Sequence, residues 1–417
     1  MRAGQPWAPL RRPDAAADRE GAHVSTTARR RALPALLALS GLVLGACGAG
    51  GLEVHAGSAS PQSAASIVIS PAATGKPVAP ANRVVVKAEA GRLTAVKVLG
   101  PEGEIPGALS VDGTTFTVPG GALEYSSTYT VVADAVDRVG LPTQTTTTLT
   151  TVAPKAFLGY SVSPRDGGTV GVGMPITLTL DRSLKKDKAK AAFERTLAVE
   201  VDGVEADGAW HWMSDRVVEY RPQTYWPGHA TITVTADLKG KQIASGVWGE
   251  QDRTTSFQTG VARISYVDIR TLEMKVTEDG KAVKKIPVTT GKEGFETRSG
   301  IKVISTKERT RLMDAATGGT DENDPEYYRL EVDYAMRLTN SGEFIHAAPW
   351  SVTSQGEASV SHGCTGMSTA DAKWLYERTR IGDVVVYRGS TRPMETWNGI
   401  GIWNYSWRDW AQGSALS

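Results

Sequence analysis

The chain has 417 residues, with 46 Lys and Arg against 45 Asp and Glu for a formal net charge of +1, and 41% of it is hydrophobic. That length leaves room for two to four domains at about 150 residues each, and the composition is that of ordinary globular domains. So even a charge balance gives no hint of the clustered basic face of a nucleic-acid binder, and no nucleic-acid partner is expected.

Near the N-terminus, Arg29-Arg30-Arg31 precede an apolar run over residues 32–46 that ends Leu44-Gly45-Ala46-Cys47. A basic segment, a short apolar core and small residues at its end make a secretory signal. The run is shorter than the about 20 apolar residues needed to span a bilayer. Its ending, 44–47, resembles the lipobox of bacterial lipoproteins. The resemblance implies that Cys47 is lipidated, becomes the mature N-terminus and anchors the protein outside the cytoplasm on the cell membrane, facing the cell wall. Ordinary cleavage that leaves Cys47 unmodified or removes it is the alternative. The residues around the arginines fit a twin-arginine signal poorly, which favours the general secretory route. Residues 1–28 are long and polar for a signal's basic segment, as a start codon placed upstream of the true one would produce. The extension and signal thus cover 1–46, and 47–65, rich in Gly, Ala and Ser, reads as a flexible tether. With Cys47 lipidated, Cys364 is the only free thiol and no disulfide can form in the mature chain.

Short β-type runs come next: Ile67-Val68-Ile69, Val84-Val85-Val86, Ala95-Val96-Lys97-Val98, Thr114-Thr115-Phe116-Thr117-Val118 and Tyr129-Thr130-Val131-Val132, separated by Gly, Pro, Asp and Asn. Ser70-Pro71 recurs as Ser163-Pro164, and Thr130-Val131-Val132-Ala133-Asp134 recurs as Thr233-Val234-Thr235-Ala236-Asp237. The spacing, about 100 residues, is that of an immunoglobulin-like module. The pattern predicts two tandem β-sandwiches, 66–152 and 153–259, the second with a helical insertion near 185–195. They serve as spacers or bind polysaccharide; Trp210-His211-Trp212 is the one aromatic cluster that suggests binding.

From Arg263 the pattern changes. Ile264-Ser265-Tyr266-Val267 and Leu272-Glu273-Met274-Lys275-Val276 read as strands, and Asp279-Gly280 signals a tight hairpin before 283–288. Residues 312–327, with Gly318-Gly319 and many acidic or amide side chains, form a loop too long and polar for a mere connection. Ser368, with Asp371 three residues on, caps a helix running to Arg380. A strand over 384–387 comes after it, and 389–417 carries Trp397, Trp403, Trp407 and Trp410, a density that predicts packing back onto the catalytic region or the neighbouring sandwich. The fold class is therefore mainly β: two immunoglobulin-like sandwiches, a β-rich domain over 260–388 with one main helix, and a Trp-rich C-terminal subdomain.

Chemistry concentrates in 344–368. Cys364 follows a glycine, lies between polar Ser361-His362 and Thr365-Gly366, and has His346 and His362 nearby. Such neighbours argue against a buried structural cysteine and for an exposed nucleophile. A thiol nucleophile needs a base for its proton and backbone N–H groups for the oxyanion. His346, at the end of the apolar strand Glu343-Phe344-Ile345, is the candidate base, and His362 the candidate orienter of the turn. His346, His362, Cys364 and Glu343 could instead ligate a metal, but structural zinc prefers paired Cys/His spacings; no metal or cofactor is expected.

His346, fourteen intervening residues, then Ser361-His362-Gly363-Cys364 is similar to the active-site signature of the L,D-transpeptidases of bacterial cell walls. The likeness extends to Tyr328 with Glu331-Val332-Asp333-Tyr334, to Ser341-Gly342-Glu343-Phe344 and to Ala347-Ala348-Pro349-Trp350-Ser351. Thr290-Gly291-Lys292 and Gly300-Ile301-Lys302-Val303-Ile304 look like the family's lead-in to the catalytic sheet. One departure stands out: Thr365-Gly366 replaces the apolar-Asn pair usual after the cysteine, which bears on how the loop is supported. The resemblance implies a catalytic domain in which Cys364 attacks a peptidoglycan tetrapeptide and an acceptor amine resolves the thioester into a 3→3 cross-link. It implies Gly363 and Cys364 N–H groups, with the Tyr328 hydroxyl, at the oxyanion; Met313, Tyr328, Trp350, Ser361 and His362 at the substrate; a backbone carbonyl orienting His346; the 312–327 loop as a lid; and acylation by carbapenems. An L,D-carboxypeptidase using water, or a non-catalytic wall-binding lipoprotein, remain the alternatives.

Overall fold

The computed structural model describes residues 61–417, which form one compact unit. Cys47, the signal and all of the tether before residue 61 lie outside the described residues. No helix among those described is long and apolar enough to cross a membrane.

Alternation builds the first sandwich. In Thr128–Asp137 every second residue is buried, so Tyr129, Val131, Ala133 and Ala135 line one face. That strand pairs with Gly91–Gly100 and Pro142–Thr150, and their sheet covers a second one made of Ser66–Ser70, Val84–Glu89, Thr115–Val118 and Ala108–Leu109. The strand Pro142–Thr150 has no apolar alternation in its sequence. It is an edge strand of threonines with a proline at its first residue, where no ladder donor is needed.

The second sandwich repeats the plan. One sheet runs Tyr160–Ser163, Ile176–Leu180, Val217–Pro222, Gly208–Trp212, and the other Thr169–Val170, Arg253–Thr259, Thr231–Ala236, Leu197–Val201, Val204–Glu205. The repeated sequences take equivalent places: Ser70 and Ser163 each end the edge strand of a four-stranded sheet, and both Thr-Val segments lie in an interior strand. The insertion is the helix Asp187–Glu194, whose Phe193 is buried in the sandwich core. Tyr125 joins the two sandwiches: its hydroxyl donates to the Gly249 carbonyl (2.5 Å) and accepts from the Gly240 N–H (2.7 Å).

The second sandwich is continuous with the domain after it. Its core includes Val384 and packs against Ile264, Ile301 and Val386 of the next sheet. Gly171 N–H donates to Ile381 O, and Gly173 N–H to Gly382 O, both at 2.8 Å. A Cβ on Gly171 would lie 2.1 Å from the Asp383 nitrogen, so only glycine permits this approach.

Two sheets make the remaining domain. Five strands run in the order Lys281–Pro287, Glu273–Glu278, Arg263–Asp268, Val384–Arg388, Gly300–Val303; four run Thr306–Asp314, Arg329–Arg337, Phe344–Ala347, Thr365–Met367. Asp279 (φ 47°) and Gly280 (φ 79°) turn the hairpin, both with the positive φ of a type I′ turn. Met274, Val276, Ile286, Met336, Ile345 and Leu375 fill the space between the sheets and the helix Thr369–Arg378. Ser368 Oγ caps that helix, accepting the Asp371 N–H at 3.1 Å.

The tryptophan tail folds onto the second sandwich and the edge strand Gly300–Val303. Trp403 Nε1 donates to Gly173 O (2.8 Å) and Trp410 Nε1 to Ala209 O (2.9 Å), while Trp410 stacks on His211 at 4.6 Å. Trp210 is buried in the core and Trp212 donates to Glu194 at 3.0 Å. All three residues of that aromatic cluster are engaged in packing, so they present no sugar-binding ladder.

Candidate active site

The parallel strands Phe344–Ala347 and Thr365–Met367 pair Ile345 with Thr365 and His346 with Gly366. The turn before the second strand carries Gly363 at φ 113°, a conformation that a side chain would strain. Ser361 clamps it: its Oγ donates to the Cys364 carbonyl (2.6 Å) and accepts the Gly363 N–H (3.1 Å). Thr297 Oγ1 donates to the Gly363 carbonyl from below at 2.8 Å.

Cys364 is only 8% exposed, packed with Met313, Val332, Ala335 and Phe344. The sequence suggested an exposed thiol; the strands around it close over the sulfur instead. Burial pushes the thiol pKa up to about 11, and the S–H points to the Gly342 carbonyl at 3.6 Å. His346 Nδ1 lies 2.8 Å from the carbonyl of Ala347. A carbonyl only accepts, so Nδ1 holds the ring's hydrogen and Nε2 keeps a lone pair. Burial lowers the His346 pKa below its usual value, so the ring is neutral near pH 7. Thiol and imidazole are therefore both uncharged. They line one cavity of about 180 Å³ together with Tyr328, Met313 and Trp350. A larger cavity of about 570 Å³ shares Met313, Tyr328 and His362 with it.

The immunoglobulin family model described as "Bacterial Ig domain" matches residues 75–242, one match spanning parts of both sandwiches, and the "L,D-transpeptidase catalytic domain" matches 262–386. L,D-transpeptidase 2 of Mycobacterium tuberculosis is 32% identical over 336 residues, covering 80% of each chain. L,D-transpeptidase 5 of the same species is 30% identical over 365 residues, 85% of this chain and 78% of the other. A solved structure of an L,D-transpeptidase in complex with imipenem is 33% identical and covers 57% of this chain and 100% of its own, with a TM-score of 0.48. The chain belongs to the L,D-transpeptidase family.

In this L,D-transpeptidase the residues singled out from the sequence converge. His346, Cys364, Tyr328, Met313, Trp350, Ser361 and His362 line the smaller cavity, and Gly363 lines the larger. The Gly363 N–H, expected at the oxyanion, is instead engaged by Ser361 Oγ, which leaves it no free direction for a substrate in this structure. Tyr328 has its pKa pushed up to about 12 by burial and stays a protonated donor. The segment expected as a loop from 312 begins later: 312–314 complete the strand Thr306–Asp314, and a 3₁₀ turn capped by Asp314 comes next.

Several residues escaped sequence reading. Glu326, near the end of that segment, accepts from His362 Nε2 (2.7 Å) and Lys292 Nζ (2.5 Å). The His362 ring lies 4.6 Å from Phe295 and 4.9 Å from Tyr328. The segment is thus tied to the cysteine turn through a titratable pair. Beneath the turn, buried Glu343 binds Arg298 Nη1 (2.9 Å) and Lys302 Nζ, and Arg298 Nε binds Glu395 (2.7 Å). Gly366 fits because a Cβ there would meet Ala348 Cβ at 2.9 Å and Thr289 Cγ2 at 3.0 Å. Thr289 and Gly366 exchange two backbone hydrogen bonds, 2.9 and 3.0 Å, so backbone rather than a side-chain amide supports this strand.

Proposed function

We propose that this L,D-transpeptidase forms 3→3 peptidoglycan cross-links through a thioester on Cys364. The observation that carries the reading is the neutral His346, its Nδ1 tied to the Ala347 carbonyl and its Nε2 free, lining the same cavity as the only cysteine among the described residues. Cys364 Sγ attacks the carbonyl of the diamino acid in a tetrapeptide stem, and His346 Nε2 takes the thiol proton as the bond forms. The tetrahedral oxyanion is held by the Tyr328 hydroxyl and the Cys364 N–H. His346 returns the proton to the departing amine, and the terminal D-Ala leaves. A side-chain amine of a second stem then attacks the thioester and loses its proton to His346, which passes it to the departing sulfur, restoring the neutral thiol and imidazole. Because thiol and imidazole rest neutral, proton transfer accompanies attack rather than preceding it. Carbapenems acylate the same sulfur in this reading, as ring-strained acyl donors reaching it through the same cavity.

Cys47 carries lipid in this reading and holds the enzyme on the outer face of the membrane, within reach of the wall. Incubating the soluble enzyme with disaccharide-tetrapeptide and weighing the products tests the catalytic part. Cross-linked dimer is expected from the wild type and none from Cys364→Ala. Tripeptide without dimer marks an L,D-carboxypeptidase, and no product at all a wall-binding protein.

A further inference from the structure

The larger cavity beside the thiol holds positive charge that its carboxylates do not answer. Arg311 and Arg337 lie on paired strands but at different levels, Arg311 opposite Val332 and Arg337 opposite Thr306, and both place their guanidinium groups over the Phe344 ring, 5.0 and 4.6 Å from its centre. Phe344 packs against Cys364, and Gly342, whose carbonyl receives the thiol, belongs to the same cavity wall. Arg311 has a carboxylate partner in Glu308 at 2.6 Å. Arg337 has none among the described residues; its Nη1 donates only to the carbonyls of Thr339 (3.1 Å) and Asn340 (3.4 Å). The acids lining the cavity are engaged elsewhere. Glu343 is held by Arg298 and Lys302, Asp314 accepts the Ala316 N–H and faces Arg329, and Glu296 accepts the Gly294 N–H.

Two guanidinium groups on one ring, partly withdrawn from water, repel each other. Burial and then Arg311 hold the Arg337 pKa below its usual value, the mark of a cation short of a counter-ion. A carboxylate entering between them would relieve both costs, and the planar guanidinium fork matches its two oxygens.

We propose that Arg337, with Arg311 beside it, forms a carboxylate subsite that holds the donor stem peptide by an acid group close to the scissile bond. The identity of the donor rests on the transpeptidase reading above; the subsite does not. Two groups on such a donor have this chemistry, the carboxylate of the departing terminal residue and the side-chain carboxylate of the diamino acid.

The first test needs no donor. Iodoacetate and iodoacetamide alkylate Cys364 by the same displacement of iodide and differ only in a carboxylate. In the full chain, Arg337→Gln should lower the iodoacetate-to-iodoacetamide rate ratio by roughly tenfold or more, the worth of a charged hydrogen bond, and Arg337→Lys should restore part of it. The ratio cancels any change in thiol ionisation or in the fold, since those slow both reagents alike. An unchanged ratio overturns the proposal. Should Arg337→Gln not fold, wild-type protection replaces it: N-acetyl-D-alanine should slow iodoacetamide alkylation and its carboxamide should not, and equal effects overturn the proposal. The second test uses tetrapeptides amidated at either acid. The arm whose amide lowers kcat/KM roughly ten- to hundredfold in wild type, but not further in Arg337→Gln, identifies the acid held. An active enzyme indifferent to both amides overturns the proposal. A wild type that turns over no tetrapeptide, yet whose alkylation ratio responds to Arg337, retires the donor reading and keeps the subsite.

Discussion

The neutral thiol and neutral imidazole predict how Cys364 should react before any substrate arrives. An exposed cysteine ionises near 9, and burial takes Cys364 to about 11. At a given neutral pH the thiolate population is therefore about a hundredfold smaller, and alkylation by iodoacetamide should be roughly a hundredfold slower than that of an exposed cysteine. The rate should climb about tenfold per pH unit without a plateau until near 11. The same shift has a stability consequence. Below about 9 the thiol is protonated in both folded and unfolded chains and contributes no pH dependence; between 9 and 11 only the unfolded chain ionises, so stability falls by roughly 3 kcal/mol across that window. Denaturant titrations of wild type and Cys364→Ala from pH 8 to 11 isolate this term, because other groups titrate alike in both. Alkylation that already levels off near pH 7 would refute the reasoning. It would mean a preformed thiolate–imidazolium pair, and the proton transfer proposed above would no longer be coupled to attack.

Other parts of the molecule make predictions of their own. His346→Gln should leave that alkylation profile in place yet slow acyl transfer by about 10² to 10⁴, and wild-type kcat/KM should hold to lower pH than an ordinary histidine base allows, falling only as pH drops through the lowered His346 pKa; product assays across pH check both. Glu326→Gln weakens the tie between the 315–328 segment and His362, so the ratio of hydrolysed tripeptide to dimer should rise as water reaches the thioester; an unchanged ratio at normal rate would make the segment a passive surface loop. Trp410→Ala removes a fully buried indole and should cost about 3–5 kcal/mol in denaturant unfolding. Cys47→Ser should move the protein from the membrane fraction to the soluble one, by fractionation and immunoblot.

Local chemistry was the part of this fold that its sequence displayed. The Asp279-Gly280 turn, the Ser368 cap and the Ser361-His362-Gly363-Cys364 turn each depend on residues a few positions apart, and each forms where those residues predict. The hidden part depends on distance along the chain. Polar neighbours made Cys364 look exposed, yet the side chains that bury it, Met313 and Val332, come from two other strands. The charge cluster under the turn joins residues 298, 302, 343 and 395, which no spacing rule connects. The strand Pro142–Thr150 leaves little trace in the sequence, because an edge strand needs little apolar pattern. The family resemblance implies the Gly363 N–H at the oxyanion, and only the fold reveals that Ser361 already uses it.

The strand Gly300–Val303 connects these long-range features, and it explains why sandwich, tail and catalytic sheet form one unit. It is the edge of the five-stranded sheet, so its outer backbone groups need partners. The tail supplies them: Asn404 Oδ1 accepts the Ile301 N–H (2.8 Å) and its Nδ2 donates to the Ile301 carbonyl (2.7 Å), as a neighbouring strand would. Side chains alternate along the strand. Ile301 and Val303 pack with Ile402, Trp403 and Trp410 of the tail, and Ile301 also with the core of the second sandwich. Lys302, between them, turns the other way and lies fully buried against Glu343, 3.9 Å over the Tyr387 ring, while Tyr387 shares a hydrogen bond of 2.7 Å with Thr365, the residue after the cysteine. A buried lysine whose pKa falls to about 8 holds its charge only if Glu343 stays close. That closeness is set from behind, by the hydrophobic packing of the sandwich and the indoles against the strand. The second sandwich is therefore more than a spacer: it forms the back wall on which the floor of the cysteine site rests.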